Sequence, residues 1–392
     1  MRKSFNLLKQ YCEKENFKGW DPYDGLNSKI FQVLPFKHWD IARLAWIQGF
    51  KRSPFNFRKL LLVPKQYNAK GVGLFLNGYC NLYKIAENGN LEYGTKDKLL
   101  KKIKELSQLL ISLKTEGYSG ACWGYNFDWQ ARRLFLFKKE TPTVVATSFA
   151  VDALIKAYEI TKNDVILKTA LSSAEFILND LNRTNKEEGF LFSYSPLNGN
   201  NTVYNASLLG SKTLAICYHY TKDNRYKEAA YQSVIACINA QKEDGSWLYG
   251  ELPVQNWIDS FHTGYNLDAL AYYQKYTGDN QFQENIKKGF NYYINHFFEE
   301  DGTPKYYHNK TYPIDIHCPG QLPVTLSTLG LFKEHQNLVD NVTNWCVTTM
   351  QDKKGYFYYQ MKKGVSSKIP YMRWSQAFMF YGLSYYLLEN NK

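Results

Sequence analysis

The sequence predicts an all-α protein, an (α/α)6 toroid or barrel in which helical hairpins are joined by short turns rich in glycine and aromatic residues. Three segments align without gaps and close at Thr161, Thr221 and Thr277, so the repeat is 60 and then 56 residues long. Each segment has apolar residues at helical spacing, and it is followed by a second helical pattern and a glycine turn. Repeats of this length are typical of stacked helical hairpins.

The repeat divides the chain into hairpins in a regular order. They are predicted near residues 70–115, 142–183, 201–242, 258–298 and 312–352, with a last inner helix at 370–389. The first helix of a hairpin carries fewer charges than the second, so we expect first helices inside the ring and second helices outside. The last inner helix has no partner unless a helix near residues 38–50 closes the ring. An open solenoid would fit the same repeats, and closure is preferred because six is the common closing number of this architecture.

The domain organisation follows from the extent of these repeats. A length of 392 residues permits one large domain or two to three ordinary ones. We expect residues 1–392 to form a single toroid domain, in which residues 1–37 are an N-terminal extension or a lid loop. The polar and aromatic loop at residues 19–28 would fold over the mouth of the ring or tether the terminus.

Composition restricts the class of function. The chain has 48 Lys+Arg against 36 Asp+Glu, a net charge of +12 that is spread along the sequence and fits an anionic glycan better than nucleic acid. Seven scattered cysteines form no C-x-x-C pair, and no apolar stretch has the length of a signal peptide or membrane span. We therefore expect a cytoplasmic protein with no metal and no cofactor. No P-loop, dinucleotide fingerprint or nucleophile elbow occurs in the sequence.

The first candidate motif lies at the start of the fourth inner helix. Asp259 is a candidate N-cap, and His262 and Tyr265 are three residues apart on one helical face. The repeat has alanine at the positions that correspond to His262, so this histidine departs from the packing pattern. A His–Tyr pair could transfer protons at a sugar carbon, and Trp257 could stack on the sugar. The alternative is a hydrogen-bonded core histidine.

The second motif is the loop at residues 122–133. It combines Trp123, Tyr125, Asp128 and Arg132, a mixture suited to sugars because rings stack on pyranose faces while charged groups bind hydroxyls or carboxylates. Asp128 is therefore a candidate acid or base, and the other three are candidate substrate ligands. The alternative is a loop that is buried against the end of the barrel.

The third motif places two histidines, an aspartate and a cysteine within eleven residues, at 308–318. Asp315, His317 and Cys318 are competent zinc ligands, but residues two apart on a helix point in different directions. Asp315 is better interpreted as an acid, a base or a ligand of a sugar hydroxyl. His308 and His317 are candidate substrate ligands.

The fourth motif is on the last inner helix. Arg373 could pair with an anionic substrate group, and Trp374 could form a stacking wall. Gln321, one hairpin earlier, is a candidate substrate ligand, and Gln376 could play the same role on this helix. Tyr204 is a further candidate ligand. The alternative for Arg373 is a salt bridge that joins the first and last hairpins.

Five segments together carry a resemblance to known proteins. They are WDPYDGLNS (20–28), GYNFDWQ (124–130), DSFHTGYNLD (259–268), PKYYHNKTYPIDIHC (304–318) and PYMRWSQA (370–377). They resemble prokaryotic proteins that are encoded in surface-polysaccharide biosynthesis loci, within the six-hairpin toroid superfamily. Some of those proteins bear the label delta-aminolevulinic acid dehydratase, but that enzyme is an α/β barrel and this helical repeat argues against it. The resemblance implies work on a surface glycan or its precursor, with other polysaccharide-assembly proteins as partners.

Three functions fit these observations. The first is a carbohydrate-active enzyme on an anionic glycan, with hydrolase, lyase or epimerase chemistry in an aromatic cleft at the toroid mouth. The second is a glycan-binding or scaffolding protein without catalysis. The third is a terpene-cyclase-like toroid, because residues 241–247 resemble the Q-W repeat of terpene cyclases. The acidic motifs of those enzymes are missing from the sequence. Convergence of His262, Tyr265 and a carboxylate in one open cavity would favour an enzyme.

Overall fold

The computed structural model describes residues 1–131 and 136–392. Its helices are α1 (Arg2–Lys14), α2 (Lys29–Val33), α3 (Asp40–Arg52), α4 (Ala69–Glu87), α5 (Lys96–Ser112), α6 (Val144–Thr161), α7 (Asp164–Asn179), α8 (Tyr204–Thr221), α9 (Asn224–Ile238), α10 (Ser260–Thr277), α11 (Gln283–His296), α12 (His317–Thr328), α13 (Gln336–Met350) and α14 (Phe378–Glu389). A π-helical turn, Met372–Ala377, leads into α14. None of the helices within the described ranges is long and apolar enough to cross a lipid bilayer.

Short strands lie in the turns between hairpins. They are β1 (Trp129–Gln130), β2 (Leu136–Phe137), β3 (Arg183–Asn185), β4 (Phe190–Phe192), β5 (Ile314–Asp315), β6 (Gln360–Lys362) and β7 (Val365–Ser367). All pairs are antiparallel, and β5, β6 and β7 form a three-stranded sheet in that order.

The even-numbered helices from α4 to α14 form a closed inner ring. Each packs on the next along the chain, and α14 packs back on α4. Inner helices are buried on almost every side, as in α6, where residues 144–155 are all buried. Outer helices such as α5 bury one apolar stripe and expose a charged face. The predicted (α/α)6 toroid is therefore confirmed.

The sixth outer helix is α1, from the opposite end of the chain. It contacts α14, and Ser4 Oγ donates to Gln351 Oε1 at 2.6 Å. Phe5 packs edge-on against Tyr93 and contacts Phe380 of α14. The sequence offers a helix near residues 38–50 as the partner that would close the ring. The helix in that region, α3, packs instead on the 3-10 turn at 24–27 and on β1, since its buried residues Ile47 and Phe50 face that turn.

The glycine turns fasten each hairpin to the next outer helix. In each turn, a Cβ added to the glycine would lie within 3.0 Å of a backbone carbonyl oxygen of that helix. The pairs are Gly120 with Ser172, Gly189 with Gln232, Gly245 with Lys288, Gly302 with Asn341 and Gly355 with Leu7. Because the last pair involves α1, the same contact closes the ring.

The repeated threonines end three inner helices in the same way. Thr161, Thr221 and Thr277 each donate a hydroxyl hydrogen bond to the carbonyl four residues earlier, at 2.7–2.8 Å. The residue that follows each threonine is left-handed, with φ between 54° and 75°. A left-handed residue after the last turn is a common helix stop, which explains why these threonines mark the repeat.

Charged side chains meet inside the ring, midway along the inner helices. Asp152 Oδ2 lies 3.9 Å from Lys156 Nζ and 3.7 Å from Lys212 Nζ, and it accepts a hydrogen bond from Asn77 at 2.9 Å. Asp268, on α10, accepts from Gln321 Nε2 at 2.7 Å. Asp152, Lys156, Lys212 and Asp268 are called the axis cluster below.

Candidate functional site

A cavity of about 320 Å³ opens at the N-terminal ends of the inner helices. Each of the six inner helices, counting the π-helical turn with α14, contributes side chains from its first turns. One from each is Lys70, Val145, Asn205, His262, His317 and Arg373. The cavity therefore faces free N–H groups and positive helix ends, which favour an anionic ligand.

An Asp–His pair forms one wall of this cavity. Asp259 is the N-cap of α10, and its Oδ1 accepts the backbone N–H of His262 at 3.1 Å. Its Oδ2 lies 2.7 Å from Nδ1 of His262 and accepts Nε1–H of Trp257 at 2.8 Å. Asp259 is fully buried, whereas the His262 side chain is 21% exposed and lines the cavity. The carboxylate thus fixes the ring with Nδ1 as donor, which leaves Nε2 as a base.

A second polar group, contributed by three inner helices, lies beside this pair. Lys70 Nζ donates to the Tyr265 hydroxyl at 3.3 Å, and that hydroxyl lies 2.5 Å from Nε2 of His317. Burial, with help from nearby Lys70, holds the pKa of His317 well below its ordinary value, so the imidazole is neutral. A neutral Nε2 can accept the phenolic proton, which places Tyr265 in the middle of a Lys–Tyr–His chain. Lys70, Asp259, His262, Tyr265 and His317 are called the mouth cluster below.

Lys70 is a buried cation without an ion-pair partner among the described residues. Its Nζ lies 4.2 Å from the ring centre of Phe149, 4.9 Å from that of Phe378 and 5.0 Å from that of Tyr265. Burial, and secondarily the charge of Arg373, lowers the pKa of Lys70 well below its ordinary value. A lysine in this state gives up its proton more readily than an exposed one, and in its charged form it can stabilise a developing negative charge.

His317 is held by aromatic rings and by one carboxyl group. It stacks on Phe261 with ring centres 4.1 Å apart, and its backbone N–H donates to Oδ1 of Asp315 at 3.1 Å. Burial raises the pKa of Asp315 to about 6, although hydrogen bonds from Trp374 and from the His317 backbone oppose this. Asp315 therefore supports two wall residues from behind, and it does not itself line the cavity.

Two buried ion pairs tie the N-terminal loop to the mouth. Arg373 donates to both oxygens of Asp21, from Nε at 2.5 Å and from Nη2 at 2.8 Å. Arg58 donates to Asp24 at 2.6 Å and to the carbonyl of Asp21 at 2.8 Å. Burial raises the pKa of Asp24 to about 6 despite the charge of Arg58. Arg373 therefore does form a salt bridge, but with the N-terminal loop and not with the first hairpin.

The glycine turns also deliver tyrosines to the mouth. Four or five residues after the turn glycine, a tyrosine lines the cavity, and these are Tyr125, Tyr194, Tyr249 and Tyr306. The hydroxyls of Tyr125 and Tyr194 are 2.9 Å apart. Tyr249 stacks on Trp257 with ring centres 4.5 Å apart and 12° between the planes. The walls therefore offer aromatic faces and hydroxyls together, as sugar-binding sites do.

The charge of the lining is one-sided. Lys51, Lys70 and Arg373 line the cavity, and no Asp or Glu among the described residues does. Across 1–131 and 136–392, no group of three His, Cys, Asp or Glu is placed to hold a metal ion. The chemistry that these residues support is proton transfer by His and Tyr, next to fixed positive charge.

The structure brings seven predicted site residues to the cavity: Tyr125, Trp257, His262, Tyr265, His317, Arg373 and Trp374. Asp259 and Asp315 lie directly behind His262 and Trp374, to which each is hydrogen-bonded.

Six other predicted residues lie away from the cavity. Asp128 accepts a hydrogen bond from the backbone N–H of Lys139, so it stabilises its loop and does not line the cavity. Trp123 is fully buried and donates to the carbonyl of Leu110, and Trp129 from the same loop lines the cavity in its place. The remaining four bond elsewhere: Tyr204 to Glu251, His308 to Tyr292, Gln321 to Asp268 and Gln376 to the backbone of Phe357. Arg132 lies outside the described residues.

Most of the lining was not predicted from the sequence, including Lys70, Asn205, Tyr194 and Tyr249. Lys70 resembles any lysine in the first turn of a helix, and nothing in the sequence shows that it is buried. Asn205 is likewise in the first turn of its helix, α8, and its residue type does not show that it is buried at the cavity. Tyr194 and Tyr249 had a usable signal, because each follows a turn glycine closely, as Tyr125 does, by five residues for Tyr194 and by four for Tyr249.

Comparison with solved structures shows the fold. The cellobiose 2-epimerase of Bacillus thermoamylovorans is similar over 100% of both chains, with a TM-score of 0.65 and 12% identity. The GH76 alpha-mannanase of Bacteroides thetaiotaomicron matches over 83% of this chain and 88% of its own, with a TM-score of 0.57 and 13% identity. A polysaccharide lyase matches over 82% and 89%, with a TM-score of 0.55 and 13% identity.

No protein-family profile and no curated protein sequence matches this chain. At identities of 12–13%, the structural likeness shows the six-hairpin toroid and does not assign an activity.

Proposed function

We propose that this protein is a carbohydrate-active enzyme that moves a proton at a sugar carbon next to a carbonyl or carboxylate group. The observation that carries the proposal is the Asp259–His262 pair, which leaves Nε2 of His262 as a base on the wall of a cavity without a carboxylate in its described lining. An oriented His–carboxylate pair is a usual general base.

The chemistry is written in two steps. Nε2 of His262 accepts the proton from the sugar carbon, and the electron pair of the broken C–H bond moves into the adjacent carbonyl or carboxylate to give an enolate. Lys70 and the free edge of Arg373 stabilise this negative charge. Return of a proton to the opposite face, from the Tyr265 hydroxyl, gives the epimer. Departure of the substituent on the next carbon, whose oxygen takes the Tyr265 proton instead, gives an unsaturated sugar and an alcohol.

Hydrolysis fits the site less well. Glycoside hydrolases use two carboxyl groups that face each other about 5–9.5 Å apart across the bond. Asp259 is fully buried behind His262, and Asp315 lies behind Trp374. Neither carboxyl group is placed in the cavity wall as that pair requires.

The substrate class follows from the wall. Lys51, Lys70 and the positive helix ends favour an anionic sugar such as a uronate, and the stacked pair Tyr249–Trp257 offers a face for a pyranose ring. The motifs that resemble proteins of surface-polysaccharide loci support a role in the biosynthesis or processing of such a glycan. We include in the proposal a cytoplasmic location and contacts with other polysaccharide-assembly proteins.

Glycan binding without catalysis is the second candidate. It would use the same aromatic wall, and the observation that favours it is the stacking and hydroxyl-rich lining itself. Binding alone does not explain why the fully buried carboxylate of Asp259 is hydrogen-bonded to Nδ1 of His262, so we rank this function lower.

The experiment is proton exchange in deuterated water. Uronates and neutral sugars are incubated with the protein, and products are followed by NMR and mass spectrometry. We expect deuterium at the carbon next to the carboxylate or carbonyl, with either a second stereoisomer or an unsaturated product. A product that has gained water instead would indicate hydrolysis. Sugar binding without exchange would support the binding protein.

A further inference from the structure

We propose that residues 29–62 form a docking surface for an anionic lipid membrane. Among the residues that the structure describes, fourteen large apolar side chains are exposed, and eight of them lie between Ile30 and Leu62. The most exposed are Ile41 (83%), Val33 (78%), Leu60 (75%), Phe55 (70%) and Trp39 (68%). Single exposed apolar residues are ordinary, but a group of this size marks an interaction site.

The group forms a connected surface. Ser28 Oγ donates to the carbonyl of Leu61 at 2.6 Å, and Lys29 N–H donates to that of Leu62 at 3.4 Å, so α2 starts beside the 57–63 turn. Phe55 and Phe57 have ring centres 6.3 Å apart. Phe36 contacts both the buried Phe31 and the exposed Trp39, which joins α2 to the start of α3.

These exposed side chains are extra to a core that is already filled. Leu26, Phe31 and Ile47 form a separate buried apolar cluster under the segment. Ile30 and Val33 of α2 and Ile41 of α3 point away from that cluster and are exposed. The folding of this segment explains the apolar residues on its inner side, but it does not explain those on its outer side.

The charge on this surface is complementary to anionic headgroups. Residues 29–62 contain seven Lys or Arg and one acid, Asp40, which pairs with Arg43. Lys29, Arg52 and Lys59 are exposed, and no carboxylate in the described part of the chain pairs with them. Basic residues beside exposed Trp, Phe and Leu are the composition of segments that lie in the membrane interface.

A second copy of the chain fits this surface less well. In a two-fold dimer the same patch meets itself, so the unpaired cations Lys29, Arg52 and Lys59 of one copy would lie against a surface that carries the same three cations. Like charges brought together in this way oppose association. An anionic lipid surface attracts all of them.

Docking would also place the cavity near the lipid headgroups. Gln48 and Lys51 of α3 line the cavity, and the same helix carries Ile41 on the proposed surface. A sugar attached to a lipid would then be presented next to the mouth. The docking itself does not depend on the enzymatic activity proposed above.

The test is flotation of the full-length protein with lipid vesicles. We expect binding to vesicles of phosphatidylcholine with phosphatidylglycerol, weak binding to phosphatidylcholine alone, and a loss of binding as salt rises. The double variant Arg52→Gln/Lys59→Gln should bind about 25-fold more weakly, which is about fivefold for each removed charge. The double variant Ile41→Ser/Phe55→Ser should also lose binding, and circular dichroism should show an unchanged fold because both side chains are exposed.

Matched controls lie on the outer face of the ring. Lys98→Gln/Lys101→Gln removes two exposed cations from α5, and Val165→Ser removes an exposed apolar side chain from α7. Both controls should bind vesicles as the unchanged protein does. Equal binding of the surface and control variants, or no preference for anionic vesicles, would overturn the proposal. So would a dimer in light scattering that Ile41→Ser/Phe55→Ser dissociates, because that result would assign the surface to a second copy.

Discussion

The mouth cluster and the axis cluster are both sets of titratable residues on the inner helices, and α10 contributes to both, yet their partners differ. In the axis cluster, Asp152 has two lysines within 4 Å, so opposite charges lie together. In the mouth cluster, Lys70 has no ion-pair partner among the described residues, and Nε2 of His262 faces a cavity.

The pKa directions express the same difference. Burial raises the pKa of Asp152, but Lys156 and Lys212 outweigh burial and hold it below its ordinary value. Burial lowers the pKa of Lys70 well below its ordinary value with no paired carboxylate against it, whereas at Lys212 Asp152 and Asp268 oppose burial, which still lowers that pKa. Buried charge alone therefore does not mark a functional site. The more useful sign is a buried titratable group left without its natural partner beside an open space.

The largest expected effect is at the mouth. His262→Gln should lower kcat at least about a hundredfold, because the base that accepts the substrate proton is lost. The free energy of unfolding should change little, since the side chain is partly exposed. Steady-state kinetics and urea unfolding measure the two quantities. His308→Gln, away from the cavity, is the control and should keep full activity. Full activity of His262→Gln would remove it from the mechanism.

The next effect is on stability and belongs to the axis. Asp152→Ala should lower the free energy of unfolding by about 3–5 kcal/mol, because two lysines would lose their buried partner. Chemical denaturation measures it, with exposed Asp97→Ala as a control that should cost less than about 1 kcal/mol. A loss as small as the control's would mean that the axis cluster is open to water.

Lys70 should behave in the opposite sense to an axis lysine. Lys70→Met removes a poorly solvated cation, so it should raise the free energy of unfolding by about 1–2 kcal/mol while kcat falls at least about tenfold. Lys212→Met should instead destabilise, because Asp152 and Asp268 lose a neighbouring charge. Thermal unfolding and kinetics of the two variants test the contrast. Destabilisation by both would show that the two clusters do not differ.

The last effect is a pH dependence within the axis. Burial raises the pKa of Asp268 to about 7, while Lys212 and the Gln321 hydrogen bond oppose it. The folded state then binds a proton that the unfolded chain releases near pH 4, so stability should fall as pH rises from about 4 to about 7, by roughly 1 kcal/mol for each pH unit. Asp268→Asn should remove this slope in urea unfolding across that range. An unchanged slope would assign the effect to other carboxyls.

The sequence was sufficient for the hairpins and for half of the site. Helical spacing and the recurring threonines mark local events, which a single sequence can show. His262 stood out because the repeat has Ala146 and Ala206 at the same position. The partner of α14 could not be found in this way, because Ser4 and Gln351 are 347 residues apart.

The burial of single side chains was equally hidden. Trp123 and Trp247 follow a turn glycine at similar spacing, and both donate to a carbonyl near the end of the preceding outer helix, at 2.8 and 2.9 Å. Such a tryptophan is a packing residue, although its neighbours suggest a sugar ligand. Their carbonyl partners lie only 13 and 10 residues earlier, but every residue has a backbone carbonyl, so the residue types alone do not decide between these roles.

The position of α1 has a consequence for synthesis of the chain. Its apolar residues Phe5 and Leu8 are fully buried, and Phe5 contacts Phe380. At about 5–20 residues per second, the ribosome needs roughly 20 to 75 seconds after making α1 before it has made that partner. During this interval Phe5 has its contact with Tyr93 but lacks Phe380, so the apolar face of α1 is only partly covered until the last inner helix is made.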